Sequence, residues 1–226
     1  MIKVHQLEKT YGKTHVLRGV HFEVNRGEVF ALLGSNGAGK TTTIKIMLGL
    51  TQADEGKVEF PEGITIGYSP ETPYFPPFMT GLEVMTYYAK LQNIPAKEAQ
   101  QMGRDLLQEV GLEDTKTKVS HYSKGMLQRL ALAQALIGDP ELLILDEPTA
   151  GLDALGRIEI LEQVKKYRDR GKTIIINSHI LHDMERVCDR GIIMKKGVIV
   201  REWNKEKDGA IALEEVFITS MEEEAC

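Results

Sequence analysis

The chain has 226 residues, of which 42% are hydrophobic, 27% charged and 6% aromatic, and its 28 Lys and Arg against 33 Asp and Glu give a net charge of −5. The apolar fraction is ordinary for a globular protein, so the composition excludes disorder as the main state. The mild acidic excess argues against a protein that binds nucleic acid through bulk charge. The length predicts one large domain, or one domain with an insertion.

The sequence shows no targeting signal. It contains no apolar run near the roughly 20 residues that span a bilayer, and residues 1–5 lack the apolar core of a signal peptide. Cys188 and Cys226 make no disulfide framework, which predicts reduced thiols. We therefore expect a soluble cytoplasmic chain that reaches a membrane only through a partner.

Short apolar segments alternate with helical patterns along the chain. Strands are predicted at residues 2–7, 16–24, 28–33, 58–60, 64–67, 142–145 and 173–177, with a hairpin over 191–200. Helices are predicted at 40–49 and near 213–217. The continuous apolar run 142–145 fits a strand that is buried on both faces. This alternation predicts an α/β fold with a largely parallel sheet.

The middle of the chain departs from this alternation. Residues 81–138 contain no convincing strand, and helices are predicted at 82–92, 96–110 and 124–137. We interpret the stretch as a helical subdomain of about 73–138, inserted into a core of about 1–72 and 139–226. All three segments are expected to form one domain, 1–226.

A glycine-rich loop matches the pattern GxxxxGK[ST] at every fixed position. It consists of Gly34, Ser35, Asn36, Gly37, Ala38, Gly39, Lys40 and Thr41. The glycines let backbone N–H groups approach a triphosphate, and the helix that follows adds the positive end of its dipole. Lys40 is predicted to bind the β- and γ-phosphates and Thr41 to ligate Mg²⁺. A flexible turn is the alternative, but the placement between a predicted strand and a predicted helix favours a nucleotide site.

An acidic pair, Asp146 and Glu147, ends the buried strand 142–145. A carboxylate at the tip of such a strand lies beside the phosphate loop in this kind of sheet, so Asp146 is predicted to hold Mg²⁺ opposite Thr41. Glu147 is surplus to metal binding and is predicted to orient and polarise a water in line with the γ-phosphate. This arrangement favours hydrolysis. The alternative is a solvated acidic turn after a core strand.

Six short motifs follow one another in the order seen in ABC transporter ATPase subunits. They are Tyr11-Gly12, the loop 34–41, Tyr-Ser-Lys-Gly-Met at 122–126, Leu-Asp-Glu-Pro-Thr at 145–149, Ala-Gly-Leu-Asp at 150–153, and Ser178-His179. The resemblance extends from about residue 2 to residue 217. It implies an α/β P-loop NTPase core, with a mostly parallel sheet and an antiparallel β subdomain, plus an inserted helical subdomain. It also implies a Mg-dependent ATPase with ATP and Mg²⁺ as cofactors.

The resemblance implies further roles around the nucleotide. Tyr11 resembles the aromatic residue that stacks on adenine, with Val16 packing nearby, and Thr42 joins the nucleotide-binding set. A tyrosine buried between strands is the alternative for Tyr11. His179 occupies the position of the family's switch histidine and would hydrogen-bond the γ-phosphate, making it catalytic together with Glu147 and Lys40.

Ser123 immediately precedes an amphipathic helix, so a capping role alone would explain it. The resemblance adds a second role, in which Ser123, Lys124, Gly125 and Met126 contact ATP held by a second subunit. Lys124 replaces the family's usual glycine and Met126 its usual glutamine; attraction for ATP and a solvated side chain both stay open for Lys124. Asp153 is implied to communicate across the dimer.

Glu71 stands where many relatives carry a glutamine that touches Mg²⁺ and the attacking water. A carboxylate there would still ligate Mg²⁺, but it would add negative charge beside the γ-phosphate. Residues 73–79, which follow, are unusually apolar for a loop. Packing beneath the helical insertion and docking of a membrane partner are the two interpretations of this segment.

Together these features predict an ATP-binding and ATP-hydrolysing subunit that powers translocation through separate integral membrane permease subunits. The motif variants resemble the ATPases of ABC-2-type exporters most closely. We expect a second ATPase subunit, in a homodimer, no nucleic acid, and a location at the cytoplasmic face of the cell membrane through the permease. The alternatives are a soluble ABC-type ATPase that acts on nucleic acid or ribosomes, and a module that holds ATP without cleaving it.

Overall fold

The computed structural model describes residues 1–113, 116–209 and 211–222. The chain forms two compact units, of which the first comprises Met1–Ile64 and Thr173–Cys226 and the second Thr65–Lys172. The boundaries expected for the helical subdomain stay a prediction.

Strands and helices alternate along the chain. The strands are β1 (Ile2–Tyr11), β2 (Thr14–Val24), β3 (Val29–Gly34), β4 (Glu55–Glu59), β5 (Ile66–Ser69), β6 (Leu142–Asp146), β7 (Thr173–Asn177), β8 (Arg190–Lys195) and β9 (Val198–Asn204). The helices are α1 (Lys40–Met47), α2 (Gly81–Leu91), α3 (Ala96–Glu109), α4 (Lys124–Ala135), α5 (Ala154–Asp169), α6 (Leu181–Val187), α7 (Lys205–Asp208) and α8 (Leu213–Glu222). The predicted α/β class, with parallel strands and an antiparallel portion, is confirmed.

The first unit contains an antiparallel sheet in the order β2-β1-β4. Its edge strand β4 covers residues 55–59 rather than the predicted 58–60, because its register pairs Glu59 with Lys3 and Glu55 with Glu8. The polar residues at the start of β4 lack the apolar alternation of a strand, and they are extended because their backbone pairs with β1. On the other side, Pro61 has no N–H to extend the ladder beyond Phe60.

The same unit contains the parallel strands that position the phosphate loop. β3 pairs in parallel with both β7 and β8. The hairpin predicted over 191–200 is confirmed, since β8 pairs antiparallel with β9 through a turn at Lys196 and Gly197. Every residue of β3 and β7 is buried. Continuous apolar sequence thus marks strands that are covered on both faces.

The second unit pairs β5 with β6 in parallel and carries helices α2 to α5. Within residues 81–138 its described part contains the three predicted helices and no strand. Strand β5 runs over 66–69 instead of 64–67, since its register follows the fully buried β6. Helix α4 ends at Ala135, two residues early, with Leu136 as its C-cap.

The C-terminal part of the chain adds short helices to the first unit. The predicted helix near residue 213 is confirmed as α8, whereas the sequence pattern indicated neither α6 nor α7. Cys188 is a buried free thiol whose pKa is raised by burial, and Cys226 lies outside the described residues. Within the described ranges, no helix combines the length and the apolar character needed to cross a membrane.

Candidate functional site

The phosphate loop connects the carboxyl end of β3 to the amino end of α1. Ser35, Asn36 and Gly37 are exposed, whereas the residues on either side of them are buried. Gly39 occupies the N-cap of α1 with φ 106°, in the left-handed region that an L side chain rarely adopts. Since glycine brings no side chain to the N-cap, the first-turn N–H groups of α1 are left to other acceptors.

Lys40 is buried, with 7% of its surface exposed, although lysine is normally a surface residue. Its Nζ donates to the carbonyl oxygens of Gly34 at 2.6 Å and Ser35 at 3.1 Å. The ammonium group is therefore held against the loop itself. Thr41 is exposed and Thr42 half-buried on the first turn of α1. The predicted phosphate-binding side chains thus lie together with the predicted backbone donors.

Strand β2, which begins after the short turn that follows β1, lies next to this loop. Tyr11 ends β1 with 47% of its surface exposed, and Nζ of Lys9 lies 5.4 Å from its ring centroid. Val16 on β2 is half-buried, and a Cβ on Gly39 would lie 3.1 Å from its carbonyl oxygen. The same Cβ would lie 2.6 Å from Cδ2 of Leu17. Close packing with β2 therefore also requires glycine at position 39, and the exposed Tyr11 ring excludes the buried-tyrosine alternative.

His179 lies beyond the carboxyl end of β7, at the edge of the sheet where the phosphate loop begins. The parallel register aligns Leu32 of β3 with Asn177 of β7, and each strand ends within two residues of that pair. His179 is exposed, and Ser178 before it accepts a hydrogen bond from the N–H of Ile180 at 3.2 Å. The first unit thus brings Tyr11, Val16, the phosphate loop and His179 to one region.

In the second unit, β5 and β6 bring three acidic residues to one edge. Ser69 aligns with Leu145, so Glu71 lies two residues after the end of β5, Asp146 is the last residue of β6 and Glu147 follows it. Asp146 is 3% and Glu147 8% exposed, which excludes the solvated-turn alternative for this pair, whereas Glu71 is exposed. Burial, followed by the charges of Asp146 and then Glu71, raises the pKa of Tyr68 to about 12.

Glu147 has an uncommon backbone conformation. Its φ is 50°, which places a non-glycine residue in the left-handed region. Its carbonyl oxygen accepts from the N–H of Ala150 at 3.0 Å and from Nε2 of Gln128 at 3.2 Å. Gln128 is 1% exposed on α4. The sequence did not predict a role for Gln128, because the pattern of an amphipathic helix does not show which distant carbonyl a glutamine side chain contacts.

The four residues 123–126 form the start of α4. Ser123 is the N-cap, and its Oγ accepts from the N–H of Met126 at 3.2 Å, so the predicted capping role is confirmed. Lys124 is exposed, but its stem lies against the backbone at Gly151, where a Cβ would lie 2.7 Å from Cδ. Gly125 and Met126 are half-buried. These contacts bind the start of α4 to the loop that follows β6.

Asp153 is the N-cap of α5, with its Oδ1 accepting from the N–H of Gly156 at 2.8 Å. Its side chain is exposed on the described chain. The second unit thus carries Glu71, the 123–126 segment, Asp146, Glu147 and Asp153, and the first unit carries the remaining candidate residues. The sequence also did not predict that Tyr68 lies near two of these acids, whose charges raise its pKa. Only the pairing of β5 with β6 places Tyr68 there.

Comparison with known proteins agrees with this geometry. The family model "ABC transporter" matches residues 17–150. An uncharacterized ABC transporter ATP-binding protein of Nostoc sp. is 45% identical over 81% of this chain and 58% of its own length. Nod factor export ATP-binding protein I of Burkholderia lata is 37% identical over 89% of this chain and 70% of its own. The chain thus spans under three fifths of the length of the first of these relatives.

Two solved structures are similar over nine tenths of the chain or more. One is described as an ATP-binding subunit of an ABC transporter; it superposes with a TM-score of 0.87 at 31% identity and covers 98% of this chain and 100% of its own. The other is a dimeric ATP-binding cassette in a post-hydrolysis state bound to ADP and Pi, with a TM-score of 0.82 at 25% identity over 90% of this chain and 98% of its own. Family match, relatives and fold agree, and the chain belongs to the ABC transporter family.

Proposed function

We propose that this chain binds and hydrolyses ATP and uses the reaction to power translocation of a substrate, in the export direction, through separate membrane permease subunits. The observation that carries the proposal is the phosphate loop: an exposed turn, a glycine N-cap with φ 106° and a buried lysine meet at the start of α1. Few sites other than a phosphate-binding site need all three features at once.

The residues of the first unit fit a nucleotide triphosphate. The backbone of residues 34–39 would surround the phosphates, because the glycine N-cap at position 39 brings no side chain to the first-turn N–H groups of α1. Lys40 would turn its Nζ from two backbone carbonyls to phosphate oxygens, and Thr42 would support the loop. Tyr11 would stack on the adenine, with Val16 beside it, since the ring is exposed.

The oxygen donors of the chain fit a hard cation. Mg²⁺ prefers one or two carboxylates together with phosphate oxygens, and when bound it would neutralise charge on the phosphates. Thr41 and Asp146 would hold it, with Glu71 as a further ligand. Glu147 would orient and polarise the attacking water, and His179 would hydrogen-bond the γ-phosphate. Burial of Glu147 supports this role, since a carboxylate that is only 8% exposed meets few competing waters.

A second ATPase subunit would complete each site. The exposed Ser123 and Lys124 at the start of α4 would contact ATP held by that subunit, together with Gly125 and Met126. Asp153, exposed at the start of α5, would carry communication between the subunits. The similar cassette that is described as dimeric and bound to ADP and Pi supports this proposal.

Permease docking is proposed for the apolar segment 73–79. Tyr74 is 82% and Phe78 66% exposed, whereas Phe75 between them is 6% exposed and packs edge-on against Tyr88. One aromatic residue therefore anchors the segment and two present apolar surface, which is the pattern of an interaction site. The relative named for Nod factor export supports the export direction. The chain would then lie at the cytoplasmic face of the membrane.

Phosphate release from MgATP tests the enzymatic part of this proposal. We expect steady turnover for the unmodified chain, loss of nucleotide binding for Lys40→Ala, and loss of turnover with retained binding for Glu147→Gln. Glu62→Gln is the matched control, since Glu62 is an exposed turn residue, and it should hydrolyse at the unmodified rate. Equal rates for Glu147→Gln and Glu62→Gln would remove Glu147 from the mechanism.

Isolation of the chain from native membranes tests the transport part. We expect integral membrane permease subunits to co-purify, and Tyr74→Ala combined with Phe78→Ala to weaken their retention without changing phosphate release. Salt-sensitive binding of nucleic acid, with no membrane partner, would instead support an ATPase that acts on nucleic acid.

A further inference from the structure

The loop 147–153 begins with a strained residue. Glu147 has φ 50°, a conformation that disfavours side chains with a Cβ and persists only where the surroundings impose it. The strain falls on the residue whose carboxylate is proposed to act on water. The contacts that impose this backbone conformation on Glu147 therefore also set the direction of its side chain.

Two hydrogen bonds meet at the carbonyl oxygen of Glu147. The N–H of Ala150 supplies one within the turn, at 3.0 Å, and Nε2 of Gln128 supplies the other from α4, at 3.2 Å. Gln128 lies 19 residues away in sequence and is 1% exposed, so its amide is a fixed part of the interior. The side chain of Gln128 thus ties the backbone of Glu147 to α4.

Gln128 is a poor choice for stability alone. Its Oε1 is buried and makes no hydrogen bond within the described part of the chain. A buried amide that satisfies only one of its polar atoms is less favourable than an apolar side chain of the same shape. Stability therefore does not account for a glutamine here, whereas control of the Glu147 backbone does.

Two further contacts join the same face of α4 to the same loop. A Cβ on Gly125 would lie 3.2 Å from Cδ2 of Leu152, and the Lys124 stem packs against Gly151. Residues 124, 125 and 128 lie one helical turn apart or less, and they contact the loop at 151, 152 and 147. Helix α4, which Ser123 caps, and the loop that contains Glu147 therefore have little freedom to move separately.

We propose that Gln128 is a positioning residue that fixes the backbone of Glu147 and couples the direction of its carboxylate to the position of α4. ATP from a second subunit at Ser123 would then act on Glu147 through α4. The inference rests on the proposed function, in which Glu147 activates water. It adds a connection within one chain between the start of α4, which would contact the ATP of the second subunit, and the Glu147 carboxylate, which would act on the water.

The test compares Gln128→Met with Gln163→Met in the full chain. Methionine keeps the length and helix propensity of glutamine but cannot donate. Gln163 is the matched control, because its Nε2 also donates to a backbone carbonyl, that of Glu109 at 2.8 Å, and its Oε1 is also buried without a partner among the described residues. We expect Gln128→Met to lower kcat by on the order of tenfold to a hundredfold, with the KM for ATP within about twofold.

Gln163→Met should leave both constants unchanged. A purely structural role for Gln128 would give equal effects in the two variants, or a loss that follows the melting temperature rather than kcat, and either result would overturn the proposal. Gln128→Leu is a second variant in case Gln128→Met does not fold, since leucine is apolar, suits the interior of a helix and cannot donate to the carbonyl. Its kcat should fall in the same way.

A double variant separates this inference from the proposed function. In a Glu147→Gln background, Gln128→Met should cause no further loss of the residual rate, because the group that it positions is already missing. An additional loss of tenfold or so would show that Gln128 acts elsewhere. If Glu147→Gln itself hydrolyses ATP normally, the proposed function fails; if only Gln128→Met is silent, the positioning role alone fails.

Discussion

The N-cap Ser123 allows helix capping and nucleotide contact to be separated by one pair of substitutions. Ser123→Ala removes the 3.2 Å hydrogen bond from the N–H of Met126 and leaves that donor at an exposed helix end. Loss of such a cap costs about 1 kcal/mol. For a chain of this size, the melting temperature should fall by about 2–4 °C. ATP hydrolysis should fall as well, but this variant alone does not identify the cause.

Ser123→Asp distinguishes the two roles. Aspartate caps a helix as well as serine does, and its charge interacts favourably with the helix dipole, by about 0.3–1 kcal/mol. The melting temperature should therefore match or exceed that of the unmodified chain. The same carboxylate would repel a triphosphate held by a second subunit, so phosphate release should fall by at least about tenfold.

Thr80 provides the control for this experiment. It is the N-cap of α2, with its Oγ1 accepting from the N–H of Glu83 at 3.3 Å, and it has no proposed role at the nucleotide. Thr80→Ala should cost about the same 1 kcal/mol and Thr80→Asp should preserve stability, both with the unmodified rate of phosphate release. Normal phosphate release by Ser123→Asp at saturating ATP would refute a contact between Ser123 and the nucleotide.

Gly39, Glu83 and Tyr68 each allow a further test. Gly39→Ala should lower the free energy of unfolding in urea by about 1–3 kcal/mol and abolish nucleotide binding. Gly27→Ala is the control: Gly27 has φ 77° and open space around it, so this change should lower stability and leave nucleotide binding intact. The hydrogen bond from the N–H of Thr80 lowers the pKa of Glu83 below its usual 4.5. The stability that Glu83 adds is therefore fully present above pH 4.5 and is lost as the pH falls through the lowered pKa. The unmodified chain should be more stable than Glu83→Gln at pH 7 but not in acid. Partial burial and nearby acidic charge raise the pKa of Tyr68 to about 12. The phenolate absorbance that distinguishes the unmodified chain from Tyr68→Phe should therefore appear only near that pH, and its appearance near pH 10 would contradict this environment of Tyr68.

The parallel strands and their motif residues were predictable because burial on both faces leaves a continuous apolar run. The predicted strand 173–177 matches β7 residue for residue, and the predicted 142–145 differs from β6 only by Asp146. The edge strands were less predictable. The polar residues of β4 become a strand only through pairing with β1, a contact that no local pattern contains.

The candidate site was predictable where a motif demands particular residue types, and not where only the folded chain decides. The phosphate loop needs glycine at fixed positions, so the sequence alone indicates it. The left-handed backbone of Glu147 occurs at a residue type that does not favour it, and Gln128 contacts it across 19 residues. Such features depend on long-range packing rather than on local propensity.

The proposed composite site implies that bound ATP joins two subunits and that hydrolysis releases them, and sedimentation of Glu147→Gln measures whether they join. With saturating MgATP, the variant should sediment as a dimer, and with MgADP it should sediment as a monomer. A monomer with both nucleotides, under conditions where ATP binding is demonstrated and in the presence of any ATPase subunit that co-purifies with the chain, would show that ATP does not join two subunits.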